Sequence, residues 1–327
     1  MSATVNAEAR IHGLCAVELE NDWFMVSVLP EVGAKIYDLV WKPTRKNFLW
    51  RNPRILPQRY PIDGNFDNYW CGGWDDGFPT CDACEYRGEH YPNLGELRSV
   101  SWKVESAGCE GEEAVAKLSA FGPISPARAE KTVTLASRSP VVRMRYEVTN
   151  LGPLALDFIW GTHPALQPSE HMVLRIPART GIVGQASDDR LGTPGQRYSW
   201  PNLETPGGVA DMSRVRGIDS KTFCGHYATD LEAGWYAVEH TRSGEGFLLK
   251  FPLDECPYLW MWLVYGGWRG YHHVIVEPWT SYPNTLTEAV RQKTNRRLES
   301  GEIFSVEVQA SAYTRPETHL EALKRLS

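Results

Sequence analysis

The sequence predicts an all-β protein built from stacked antiparallel sheets with few short helices. Three observations carry this: about a dozen strand-like runs of alternating or continuous apolar residues, Gly, Pro, Asn and Ser turn signals between them, and almost no helical periodicity where βαβ units would need it. AVELENDWFMVSVLP alternates into an apolar run ending at Pro30, and KIYDLVW follows the Glu31-Val32-Gly33 turn. A Pro-, Gly- and Asp-rich stretch from Asn52 to Glu96 reads as loop. Strands resume with RSVSWKVES, AVAKLSAFG, RAEKTVTLAS, VVRMRYEVTN and LALDFIW, an antiparallel meander punctuated at Arg138-Ser139-Pro140 and Asn150-Leu151-Gly152-Pro153.

Further on, the segment from Pro177 to Thr222 also reads as loop, of a length that inside a compact domain often serves function. WYAVEHTRSGEGFLLKFP is a hairpin turning at Ser243-Gly244-Glu245-Gly246, and YLWMWLVYG, HHVIVEPW and IFSVEVQASAY are buried strands. Two short helices are expected: TLTEAVRQK, capped by Asn284 or Thr285, and PETHLEALKRLS. With no repeat, low-complexity tract or flexible linker, residues 1–327 read as one domain; all-β folds of this length form single units.

The 34 basic and 40 acidic residues are dispersed, and a net charge of −6 supplies neither the basic stripe of a nucleic-acid binder nor a polybasic membrane patch. No apolar run is long enough to span a bilayer and the first residues lack a signal-peptide pattern, so a soluble, cytoplasmic protein is expected. The 7 cysteines are scattered and read as reduced thiols. CDAC, Cys81 to Cys84, has zinc-knuckle spacing, but no second pair completes a four-ligand set, so no metal is expected. Phosphate-cradling glycine motifs and GxSxG are absent, which removes nucleotide binding and serine hydrolysis of that type.

The 13 Trp and 14 Tyr are the unusual quantity. Such rings fill cores, but they also stack on the C–H faces of sugars, and where exposed they can mark a homodimer interface. Polar residues gather at predicted strand ends: Asp75 and Asp76 in GGWDDGFP, Glu96 and Arg98 in GELRSVSW, His163 in WGTHPAL and Glu277 in HHVIVEPW. Pro164 gives His163 a plain structural reading as a strand-end residue, while Glu277 ends an apolar run in which an unpaired carboxylate would be costly.

VLPEVGAKIYDLVW, GGWDDGFP with GELRSVSW, WGTHPAL and VEPWTSYPN together resemble, in order, the landmarks of the galactose mutarotase-like (aldose 1-epimerase) superfamily over residues 24–313. The resemblance implies a β-supersandwich with an open sugar-binding cleft and no cofactor. It implies His163 as the general acid toward the ring oxygen and Glu277 as the general base toward the anomeric hydroxyl, with an imidazolium and a carboxylate on opposite sides of the anomeric centre. Arg98 would bind sugar oxygens, and Trp74, Asp76, Trp160 and Trp279 would contribute to the cleft wall. Where the family's sugar-binding histidine would stand this chain has Leu94; His90, four residues earlier, is the candidate to reach that space. The expected partner is a small carbohydrate, neutral or modified. A binder without turnover, or an epimerase, isomerase or lyase acting on a modified sugar, are the alternatives.

Overall fold

The computed structural model describes residues 2–326 and is dominated by antiparallel strands with few short helices, as the sequence predicts. The chain divides into two compact units, Met1–His163 with Thr280–Val308, and Pro164–Trp279 with Gln309–Ser327.

In the first unit, the strands Thr4–Ile11, Leu14–Glu20, Phe24–Leu29 and Lys35–Trp41 form an antiparallel meander, extended by Trp74–Gly77 and the first residues of Gly161–Leu166. A second sheet holds the meander Lys103–Glu110, Glu113–Phe121, Ala127–Ala136 and Val141–Asn150, bordered by Ile303–Tyr313. Period-two alternation is strict in Ala127–Ala136, where Ala127, Ala129, Lys131, Val133 and Leu135 all point inward. The lysine in this apolar row needs an anion, and the site below supplies it.

Glycines bring the sequence motifs together. In the Pro30–Gly33 turn, Gly33 has φ +69° and a Cβ there would lie 2.4 Å from the backbone oxygen of Arg98, so only glycine lets the two segments pass. Gly72 also has positive φ, and a Cβ there would collide with the carbonyl of Trp50.

The second unit has one large antiparallel sheet running from the end of Gly161–Leu166 through His272–Trp279, Tyr258–Tyr265, Thr222–Leu231 and Ala178–Ala186 to Arg197–Ser199, Asn202–Thr205 and Gly208–Asp211. The stretch from 177 to 222 therefore contains four strands of the sheet and is not one continuous loop, which corrects the loop reading. Its outer strands are only three or four residues long, the first two exposing polar residues and the last exposing Val209, so hydrophobic periodicity does not reveal them. A smaller sheet contains Met172–Arg175, the hairpin Trp235–His240 with Gly246–Lys250 turning at the expected Ser-Gly-Glu, and the end of Ile303–Tyr313.

Both expected helices form. Thr285 caps Leu286–Gln292 by accepting from the Glu288 amide, and Thr318 with Glu321 makes a reciprocal capping box on His319–Leu323. Among the described residues no helix is long and apolar enough to cross a membrane.

Candidate functional site

His163 lies on the strand Gly161–Leu166 and is 6% exposed. Trp70 meets its ring edge-on at a centroid distance of 5.8 Å, and Phe66 does so at 6.2 Å. The Trp70 indole N–H donates to Asp75 Oδ2 at 3.0 Å, and the same carboxylate oxygen takes the Lys35 ammonium at 2.5 Å. Lys35 Nζ also donates to the Gly72 carbonyl at 2.7 Å. Lys35 and Asp75 are both buried, so each charge depends on the other.

The electrostatics decide the protonation state. Burial lowers the His163 pKa to about 4; the Asp75 carboxylate opposes this, while Lys35 and Arg98 reinforce it. The ring is therefore neutral near neutral pH, which corrects the resting imidazolium expected from the sequence. Burial, the largest single influence, pushes the Asp75 carboxyl up, but the Lys35 charge, His163 and the bonds from Lys35 and Trp70 together hold the group below its ordinary value. For Lys35, burial acts downward most strongly, and the Asp75 charge, neighbouring Cys71 and Tyr60 and the bond to Asp75 together raise it above its ordinary value. The pair stays ionised.

Arg98 is 2% exposed, and the protein itself occupies its donors: Nε gives to Asn93 O at 2.5 Å, Nη1 to the Tyr60 hydroxyl at 2.7 Å and Nη2 to Gly64 O at 3.5 Å. Its guanidinium also lies over the rings of Tyr60 and Phe66, at 5.1 and 4.9 Å. Arg98 lies beside the His163 cluster, where its guanidinium holds the covering residues Tyr60, Gly64 and Phe66.

Several expected wall residues are core members. Trp74 is fully buried and donates its indole N–H to Thr162 Oγ1; the Thr162 hydroxyl donates to Asp76 Oδ1 at 2.7 Å, and Asp76 Oδ2 pairs with Lys131 at 2.9 Å. Trp160 is 2% exposed and packs on Tyr146 at 4.9 Å and Phe304 at 6.1 Å. A cavity of about 20 Å³ beside Asp76, Tyr146 and Trp160 has room for one water, not for a pyranose. Trp74 and Asp76 belong to a relay that satisfies Lys131, and Trp160 packs in the core beside it, so none of the three lines an open cleft here.

His90 is exposed on the short hairpin Cys84–Tyr86 with Glu89–Tyr91; its Nδ1 lies 2.6 Å from Glu85, and among the described residues it pairs with nothing in the His163 cluster. Leu94 is buried with φ +58°, in a turn whose Gly95 passes against the Phe78 carbonyl. Among the described residues no group of three or more His, Cys, Asp or Glu is placed to hold a metal.

Glu277 belongs to the second unit, on His272–Trp279, directly across the ladder from Trp260. It is buried, and the Trp279 indole N–H donates to its Oε2 at 3.0 Å. Trp279 is itself fully buried and stacked on Trp260 at 4.3 Å, so it orients the carboxylate and presents no open wall. The Tyr236 hydroxyl is pushed well above its ordinary pKa, by burial first and then by the Glu277 charge.

Sequence reasoning missed Lys35, Tyr60, Phe66, Trp70 and Lys131. Two of these carried a signal. Lys35 opens an apolar strand, and Lys131 occupies the inward phase of an alternating one.

No family model matches the chain, and no curated protein matches it. Solved structures do. The chain is similar to the Slr1438 protein from Synechocystis sp. PCC 6803, with a TM-score of 0.68 at 17% identity over 95% of this chain and 98% of that one. It is similar to a galactose mutarotase-like protein from Clostridium acetobutylicum, with a TM-score of 0.68 at 15% identity over 96% and 99%. A galactose mutarotase related enzyme from Lactobacillus acidophilus gives 0.61 at 16% identity over 93% and 98%. At these identities the likeness speaks for architecture, and the chain has the β-sandwich fold of the galactose mutarotase-like proteins.

Proposed function

We propose that this protein is an aldose 1-epimerase-like enzyme that interconverts the anomers of a free sugar or sugar derivative, with His163 and Glu277 as its proton-handling groups. The observation that carries the reading is the surroundings of His163: an imidazole within the strand Gly161–Leu166, edge-on to Trp70 and Phe66, beside a buried Lys35–Asp75 pair and with a strongly lowered pKa. Perturbed titratable groups in a charged, dry setting are characteristic of reactive centres.

In this scheme Glu277 removes the proton of the anomeric hydroxyl as the C1–O5 bond breaks, the neutral His163 donates a hydrogen bond to the charge developing on the ring oxygen, and that oxygen then takes a proton from water while Glu277 returns its own to solvent. A neutral imidazole can polarise an oxygen through its N–H without first being charged. Rotation about C1–C2 and the reverse transfers then give the other anomer, with no net redox change. The same fold hosts different activities, so the assignment stands on these residues and not on the architecture.

Leu94, where the resemblance places a sugar-binding histidine, favours a modified sugar over a plain hexose within this reading. Freshly dissolved α-anomers of neutral, acidic and phosphorylated aldoses, followed by NMR with and without the protein, test it. Faster exchange for at least one of them is expected, lost in Glu277→Gln with binding retained. Binding without faster exchange would make the protein a carbohydrate binder instead.

A further inference from the structure

His163 and Arg98 are covered by one loop. Residues 53–69 contain no strand, only the single helical turn Phe66–Tyr69, and the ends of the loop are pinned together. The Asn52 amide donates to Cys71 O at 2.9 Å, the Asn52 side chain to Trp70 O at 2.9 Å, and the Gly73 amide to Trp50 O at 2.8 Å. Backbone bonds such as Gly64 N–H to Pro61 O and Asn68 N–H to Asn65 O stay within the loop.

Side chains attach the body of the loop to the protein at several points. Arg59 pairs with Glu31 at 2.5 Å. The Tyr60 hydroxyl donates to Arg98 O at 3.1 Å while accepting from Arg98 Nη1, and Arg98 Nη2 reaches Gly64 O. Ile55 and Tyr60 pack at the margin of the cluster formed by Ala9, Ala16, Leu29, Val32, Tyr37 and Cys71. Phe66 lies edge-on to His163 and under the Arg98 guanidinium. A closed loop fixed at its base, with no strand pairing along its body and with Tyr60, Phe66 and Tyr69 only partly buried, opens at a free energy below that of global unfolding.

We propose that residues 53–69 form a lid over His163, latched by Tyr60 on Arg98 and by Arg59 on Glu31, and that opening it admits small molecules to the imidazole. Arg98 is then a positioning residue for the lid. The proposal rests on the reading of His163 as the reactive group, but its test reads no turnover, so either can fail without the other.

The experiment measures two rates on the full chain: amide hydrogen exchange of residues 55–69, and acylation of His163 by diethylpyrocarbonate, resolved by peptide mass spectrometry. The neutral imidazole is the form that this reagent attacks. In Tyr60→Phe, which deletes the latch hydroxyl and keeps the ring, both rates are expected to rise about tenfold, with exchange in residues 103–150 unchanged. Arg59→Gln is expected to act in the same direction and less. Unchanged acylation despite faster loop exchange would overturn the lid, because His163 would then be reached by another route. So would an equal rise in residues 103–150, which would mean global opening, or no change of either rate in both variants.

Discussion

Two buried histidines, one in each unit, share a lowered pKa with burial as its leading cause, but in different surroundings. His226 sits in the second unit with both ring nitrogens engaged: Nε2 donates to the Leu191 carbonyl at 3.0 Å, and Nδ1 accepts from the Tyr198 hydroxyl at 3.0 Å. Burial lowers its pKa to about 4, against the pull of the Leu191 carbonyl. His163 arrives at about 4 as well, but among a carboxylate, an ammonium and a guanidinium, and beneath a loop. A depressed pKa alone therefore does not mark a reactive histidine. The charges around it and the nature of its cover separate a site from a satisfied core residue.

The largest expected effect comes from replacing each histidine in turn. His163→Asn is expected to lower the protein-dependent rate of anomer exchange by roughly 10²- to 10⁴-fold, the contribution of a positioned proton-transfer group. His226→Ala is expected to leave the rate per folded molecule unchanged, while destabilising the protein by about 2–4 kcal/mol because the Tyr198 hydroxyl and Leu191 carbonyl lose their partner beside a new cavity. NMR exchange rates and urea midpoints check both. Equal loss of rate in the two variants would erase the distinction.

Next in size is the ion pair behind His163. Asp75→Asn leaves the Lys35 ammonium buried without its counter-charge, and a loss of about 3–5 kcal/mol of stability is expected in urea. The same substitution removes the nearby charge that does most to raise the His163 pKa, so the imidazole should titrate lower still, while that of His226 stays in place. Two-dimensional NMR of the nine histidines reads this directly.

Much of the fold was legible because strand patterning is local. The strand runs, the Ser-Gly-Glu hairpin and the Thr285 and Thr318 caps need only a few neighbouring residues to declare themselves. The polar ribbon from 197 to 211 was not legible, since its pairing depends on partners and not on apolar content. At the site, the ordered motifs pointed to His163, Arg98 and Glu277, but not to what surrounds them. The cover of Arg98 by Tyr60 and Phe66, or the route from Trp74 through Thr162 to Lys131, joins residues tens of positions apart, and no spacing rule reports such contacts.

A pH titration of stability follows from both histidines. In the unfolded chain an imidazole takes up its proton near pH 6.5, whereas in the folded protein each does so only near 4. Above 6.5 both states are neutral there and the full stability is present. As the pH falls toward 4 the unfolded state binds protons that the native state refuses, so stability declines by up to about 3 kcal/mol for each histidine. Urea midpoints between pH 7 and 4.5 should fall steadily, and less steeply in His226→Phe, provided that variant folds; a flat profile would mean the buried rings are not neutral.

The smallest effect is expected at His90, and it sharpens the contrast from the opposite side. This histidine is exposed on its hairpin and paired with the equally exposed Glu85, in a setting where an ion pair adds little. His90→Ala should shift stability by less than about 0.5 kcal/mol, the usual range for a surface change. Anomer exchange should also be unaffected, because among the described residues the ring pairs with Glu85 and not with the Trp70, Phe66 and Asp75 group. A clear loss of exchange in this variant, with binding weakened, would show that His90 replaces the histidine missing at Leu94 and that the hairpin carries part of the sugar site. Chemistry would then depend on a residue whose resting position gives no hint of it, and neither burial nor charged neighbours would suffice to tell a working histidine from a structural one in this fold.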